Sequence, residues 1–393
     1  MQFQVAGFTV NLKVFFCILM SASGLFRLLK GAAIKKSSVY FIILVLIYTS
    51  YNLINIFDAE HLAPFFKNMA LCIWPAVISG LIIPSSERRL KSFLIFWLML
   101  LLLLFVINVT SAGVNFSTKY YNVIFHLPFT TTVLPPDFYL SNGRMLGLLP
   151  MLTLVWYYKA TCKYNLIIVI FLVANIILLG LSQARMSFLI VICFTLISIP
   201  ISRNLSGPNH AEKATHLLLG IGFMFSLFLI LYDHVFIFTK LAFILNAYDL
   251  NTLARMNAID LSIWMFKENP VFGYGFGGYE ALDAYMQYPH NIILDLLCEQ
   301  GIVGSGIFFT FLIYPLCTIF KTQKQIINEY CIYMITFTIY YFFCTLTSGA
   351  TLSQRYLWLG LALLWGQCAN TASLEKLAPG KPLMWPHVKE ESK

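Results

Sequence analysis

Four residues in this chain combine useful chemistry with an unusual position: Arg144, Arg185, Arg255 and His290. Arg144 closes Ser141-Asn142-Gly143-Arg144 just ahead of an apolar stretch, and Arg185 sits in Leu181-Ser182-Gln183-Ala184-Arg185 between two apolar runs with almost no loop. Arg255 lies in a helix-patterned segment, Leu253-Ala254-Arg255-Met256. Guanidinium groups fork onto phosphate oxygens and stay charged at any relevant pH, so two or three of them suit a diphosphate. The competing reading is that each arginine snorkels to lipid headgroups or caps a helix. It fits Arg144 better than Arg185, whose wedge between two spans turns the side chain toward the bundle. His290 falls in Tyr288-Pro289-His290-Asn291, after the long segment that carries Arg255. An imidazole titrates near about 6.5 and can accept a proton from a sugar hydroxyl at neutral pH. A lone histidine is more often structural; its place at the mouth of a bundle favours a chemical role.

Two glycine patterns flank these residues. Asn269-Pro270-Val271-Phe272-Gly273-Tyr274-Gly275 reads as a tight turn with aromatic faces, because it lacks the G-K-[ST] of a P-loop and follows no strand. Gly301-Ile302-Val303-Gly304 follows His290-Asn291 after nine residues. Asp295 and Glu299, four apart on the same helix, could orient a histidine or bind a metal; the spacing H-x4-D-x3-E matches no metal pattern, so support for the helix is the expected role. The nine cysteines form no C-x-x-C pair and most lie in apolar runs, so they read as small buried residues.

The elements that must hold these groups are membrane helices. Of 393 residues, 59% are apolar and 11% charged, and the mean hydropathy is +0.77. Soluble proteins carry roughly 25% charged residues, and this deficit leaves too little polar surface for a water-facing globule. The expected class is an all-α polytopic bundle with 11–12 spans and a partly helical external segment. Stretches near the roughly 20 residues a span needs fall at 8–26, 38–56, 68–84, 93–109, 145–158, 164–181, 186–201, 216–232, 301–320, 329–346 and 355–369. The fifth is short and would have to begin near Leu140. Seventeen of the 26 Lys and Arg lie in alternate connections, Lys213 among them, which makes that side cytoplasmic. The net charge of +9 therefore reflects membrane orientation rather than nucleic-acid binding. No cleavable signal is evident, and the first apolar stretch reads as an anchor.

On this plan residues 1–393 form one integral membrane domain, with external segments 110–143 and 233–290 and a cytoplasmic tail 370–393. A segment as long as 233–290 is usually functional. Within it Leu253, Met256, Ile259, Ile263 and Phe266 recur at helical spacing, predicting an amphipathic helix that lies on the membrane or on the bundle. Lys267-Glu268-Asn269-Pro270 ends it, since proline cannot continue a helix.

The ordered set of motifs resembles the bacterial O-antigen ligases. His290-Asn291, nine residues, then Gly301-x-x-Gly304 fits their H-[NSQ]-x9-G-x-x-[GTY] pattern. The segment around Arg185 resembles their arginine motif, and Arg255 with Trp264 and Asn269 to Gly275 resembles their second arginine and its trailing turn. The resemblance covers roughly the C-terminal half; such ligases usually have twelve spans, against eleven counted here. It implies a multi-pass protein of a Gram-negative inner membrane with its active site facing the periplasm. Glycan would pass from undecaprenyl diphosphate to a sugar hydroxyl of lipid A–core, in lipopolysaccharide biosynthesis. Arg185 and Arg255, with Arg144, would hold the diphosphate, and His290 would act as base. Asn291, Gly301, Gly304, Gly273 and Gly275 would shape the site. A diphosphate held by arginines leaves as an anion, so no metal, nucleotide or other cofactor is implied, and the anomeric centre inverts.

Two relatives within that superfamily share the donor and the arginines: O-antigen polymerases and protein O-oligosaccharyltransferases. The fit of the histidine motif favours a ligase. A transporter or flippase would place ionisable groups at the bilayer midplane, often on inverted repeats. Here the acidic residues fall in connections or at span ends, and no repeat is visible.

Overall fold

The computed structural model describes residues 2–5, 8–11, 36–83, 87–115, 122–125, 137–159, 165–181, 185–201, 210–230, 250–283, 287–321, 329–347 and 350–377. Among these the chain is a helical membrane bundle with two short antiparallel hairpins. One pairs β1 (Gln2–Val5) with β2 (Phe8–Asn11), the other β3 (Ala112–Asn115) with β4 (Asn122–Phe125). The first expected span thus opens in a strand, Phe8–Asn11, and its remainder lies outside the described residues.

The other ten expected spans coincide with helices. α1 is Lys36–Ile54. α2 (Leu62–Asn68) and α3 (Trp74–Ile82) form one rod through a π-turn at Met69–Ile73. Pro75, which has no N–H to give the ladder, follows that wide turn directly. Then come α4 (Glu87–Ser111), α5 (Asp137–Lys159), α6 (Asn165–Leu181), α7 (Arg185–Ile201) and α8 (His210–Ile230). After α9 (Leu250–Glu268) and the short α10 (Gly278–Leu282) the chain runs through α11 (Ile292–Lys321), α12 (Glu329–Thr345) and α13 (Arg355–Leu377). Ser37–Ile54, Ala59–Ile82 and Ile292–Ile319 are long and apolar enough to cross a membrane, with shorter apolar helices at Leu166–Ile177, Met186–Ser198 and Cys331–Thr345. The chain is a multi-pass membrane protein.

α13 is the centre of the bundle. Leu357, Trp358, Leu361, Ala362, Leu364 and Trp365 are all buried. The rings of Tyr48, Phe308 and Phe311 surround Trp358 at 5.5, 5.8 and 5.3 Å. Gly80 lets α3 approach closely, since a Cβ there would overlap that of Ala362. The indole nitrogens of Trp358 and Trp365 donate to the Thr351 and Phe311 carbonyls at 3.1 and 2.9 Å. Both polar handles are therefore satisfied inside an apolar core.

Two expectations are corrected by this arrangement. Arg144 does not precede its helix: α5 begins at Asp137, so Arg144 is already two turns inside it. Lys213, expected among the loop charges, lies in the first turn of α8, is buried, and donates to the Tyr158 carbonyl at 3.2 Å. A cation at the C-terminal end of α5 meets the negative pole of that helix. α13 continues to Leu377, into the segment expected to form the cytoplasmic tail. α9 turns the face of Ala258, Ser262 and Met265 to the protein. These three are buried, whereas Leu253, Met256, Ile259 and Ile263 are exposed. Of the two placements expected for the apolar stripe, on the membrane or on the bundle, the bundle is not the one used.

Candidate functional site

The site is built around a break in α11. Gly301 adopts φ 62°, ψ −165° in the middle of this helix, splitting off the segment that starts at Ile292. The expected span start at Gly301 falls on that break. Asn291 caps the first segment: its Oδ1 accepts the Ile293 and Leu294 amides at 2.9 and 3.3 Å. That is ordinary N-cap chemistry. The cap fixes the helix start immediately after His290.

The glycine turn docks into the break. Ile302 and Val303 donate their amides to the Pro270 and Val271 carbonyls at 2.9 and 3.1 Å. In return Tyr274 and Gly275 donate theirs to the Cys298 and Glu299 carbonyls at 2.9 and 2.7 Å. Gly273 (φ 73°) and Gly301 face each other across this contact. A Cβ on Gly301 would collide with the Val271 carbonyl, and one on Gly273 with the Glu299 carbonyl. The two glycine motifs are one structure, made of backbone pressed on backbone.

Asp295 and Glu299 have a different task from the helix support expected of them. Both are buried. Asp295 Oδ2 accepts the Thr351 amide at 2.8 Å and its hydroxyl at 2.6 Å, tying α11 to the connection before α13. Glu299 Oε1 accepts the amides of Gly277 and Tyr279 at 3.0 and 3.3 Å, holding the far end of the glycine turn. Glu299→Ala leaves two buried amides unpartnered, each at a cost of roughly 1–3 kcal/mol. The expected result is a clear fall in the melting temperature of purified protein, and an unchanged value would refute this role.

His290 stands at the mouth of the site with φ 58°, among the described residues the one non-glycine in the left-handed region. Its ring is half-buried and lies 4.4 Å from that of Tyr288. Nδ1 is buried with no hydrogen-bond partner among the described residues. Burial, then the Arg255 guanidinium, then that of Arg144, push its pKa down to about 4. The two arginines, from α9 and α5, thus act on one imidazole from helices far apart in sequence. Arg255 is exposed and Arg144 half-buried, and the Arg144 carbonyl accepts the Tyr340 hydroxyl of α12 at 2.7 Å. Arg185 opens α7, and its side chain lies outside the described part of the structure.

Several supporting residues carry no motif in the sequence. Tyr51 Oη donates to the Phe272 and Gln300 carbonyls at 2.9 and 2.6 Å, and Asn55 Nδ2 to Phe272 at 2.7 Å. Their i, i+4 spacing across the end of α1 is the signal that could have marked them. Thr351 and Tyr340 gave none. Beside the turn, His61 Nδ1 lies 2.6 Å from Asp58 Oδ1, which holds the Asp58 carboxyl below its usual range. The His61 ring packs on Gly277, where a Cβ would strike it.

Comparison with known proteins finds a match over one segment. No curated protein matches the chain significantly. Residues 167–309 match the family model described as O-antigen ligase. That segment contains Arg185, Arg255, His290 and both glycine motifs; Arg144 lies before it. Over residues 167–309, less than half of its length, the chain is therefore similar to the O-antigen ligase family.

Proposed function

We propose that the protein is an O-antigen ligase. It moves glycan from undecaprenyl diphosphate to a sugar hydroxyl of lipid A–core, at the periplasmic face of the inner membrane. What supports this reading is the match of residues 167–309 to the O-antigen ligase family model, a segment that holds Arg185, Arg255, His290 and both glycine motifs.

The arginines, Arg185 included, bind the diphosphate of the donor. His290 takes the proton of the acceptor hydroxyl as its oxygen bonds to the anomeric carbon. The bond from that carbon to the diphosphate oxygen breaks, the undecaprenyl diphosphate leaves as an anion, and the centre inverts. Bound diphosphate also offsets the positive field at His290. Its proton affinity then rises toward the ordinary value of about 6.5, which makes it a better base when donor is present. Arg255→Lys keeps the charge but loses the fork. It should raise KM for the donor by about 10–100-fold, the loss of one charge-assisted hydrogen bond of roughly 1.5–3 kcal/mol, with a smaller change in kcat.

The test is lipopolysaccharide from cells lacking the gene, rescued by wild type or by His290→Asn. A ligase leaves bare lipid A–core in the deletion strain while long glycan accumulates on the lipid carrier. A single repeat unit on each core would identify a polymerase instead. Loss of glycan from proteins would identify a protein O-oligosaccharyltransferase.

A further inference from the structure

The glycine turn carries apolar side chains that nothing in its docking contact uses. Val271 is 49% exposed and Phe272 59%. Their neighbours are exposed too: Ile302 at 58% and Val303 at 38%, hydrogen-bonded to the turn, and Ile54 at 86%, next to Asn55. Ile54 ends the candidate span Ser37–Ile54, and Ile302 and Val303 lie in the candidate span Ile292–Ile319. The exposed face of the turn is therefore continuous with the surface of two membrane helices.

The hydrogen bonds give its depth. Tyr51, one turn inside the end of α1, donates to both the Phe272 and Gln300 carbonyls. This sets the turn and the α11 break level with the last turn of a span. Non-helical backbone facing lipid is excluded from the hydrocarbon core unless its polar groups are paired. Most of the turn's groups are: the carbonyls of Pro270, Val271 and Phe272 accept from Ile302, Val303, and Tyr51 with Asn55. The amides of Gly273, Tyr274 and Gly275 donate to Asn269, Cys298 and Glu299. The Val271 and Phe272 amides have no backbone partner among the described residues, which fits the edge of the bilayer, where headgroups and water supply acceptors, rather than its hydrocarbon centre. Alongside, Trp264 and Tyr274 pair at 6.0 Å between ring centres, the residue types enriched where membrane meets water.

We propose that the Pro270–Phe272 turn is embedded in the outer edge of the bilayer, with Val271 and Phe272 against lipid acyl chains. It fills the broken helix from the lipid side and pins the His290-bearing segment at a fixed depth. In water such a surface would join an exposed apolar patch of several residues; in lipid it carries no such penalty. The inference concerns the turn and the bilayer alone, and it stands whichever group the site transfers.

The test places the photocrosslinker p-benzoylphenylalanine at Phe272 and, separately, at Val271 in the full chain, reconstituted in phosphatidylethanolamine–phosphatidylglycerol vesicles. Ile302 is the lipid-facing reference, and Glu280, exposed and outside every candidate span, the water-facing one. Monodisperse elution shows that each variant is folded. The expected result is lipid-adducted protein at both positions, with a yield matching Ile302 and well above Glu280. A yield at the Glu280 level would place the turn in water and overturn the proposal. Crosslinked dimers would overturn it in favour of a second copy of the chain.

Discussion

Purified His290→Asn protein folds normally and loses transfer activity by about 10²–10⁴-fold in kcat/KM, the usual worth of a general base. Asparagine is the substitution of choice because position 290 has φ 58°, a conformation asparagine accepts more readily than alanine. The variant removes the proton acceptor without adding backbone strain. Retention of near wild-type activity would remove His290 from the chemistry. A second readout separates the base from a structural histidine. In the ligand-free protein the His290 pKa is about 4, below the ordinary value, so the folded state holds fewer protons than the unfolded chain between those two values. Wild-type stability is undiminished above about pH 6.5 and falls as pH drops toward 4, since only the unfolded state takes up the proton there. His290→Asn loses this sensitivity. The wild type should therefore lose more melting temperature than the variant between pH 7 and pH 5, with the two pH profiles running parallel above pH 7.

Gly301→Ala is expected to be the most damaging single-methyl change in the described structure. Its φ 62°, ψ −165° lies in a region open essentially to glycine, at a cost of roughly 1–3 kcal/mol for any other residue. The added Cβ would also collide with the Val271 carbonyl and stand 2.6 Å from the Gly273 nitrogen. Neither atom belongs to a side chain that could rotate away. Relief requires the two segments to part, which breaks the four backbone hydrogen bonds that join them and leaves polar groups unpaired beside the membrane. Gly306→Ala is the matched control. That residue lies in the helical part of α11, and an added methyl there would meet nothing within 4 Å, so alanine should be neutral or stabilise by up to about 1 kcal/mol. Folded yield and melting temperature in detergent check both. Equal behaviour of the two variants would mean that the backbone contact does not hold the site together.

What the sequence determined by itself is local. Apolar runs of near-constant length specify a helical bundle because a membrane offers no water to an unpaired backbone. Asn269-Pro270 ends α9 where proline must end it, and His290-Asn291 followed by Gly301 and Gly304 is visible as a pattern of residue types. What the tertiary structure decided depends on partners distant in the chain. Helical spacing shows that α9 has an apolar stripe, yet the face it buries is set by the fit of Ala258, Ser262 and Met265, not by the most apolar side chains. The glycines announce a tight place, but that Gly273 and Gly301 make the same tight place follows only from their meeting. Asp295 and Glu299 look like a pair on one helix and serve opposite sides of it, since each carboxylate went to the buried amides that needed an acceptor. The sequence groups Arg144 and Arg255 with His290 only through the order of the motifs; that the charges of α5 and α9 reach this imidazole depends on distance in space rather than on separation along the chain.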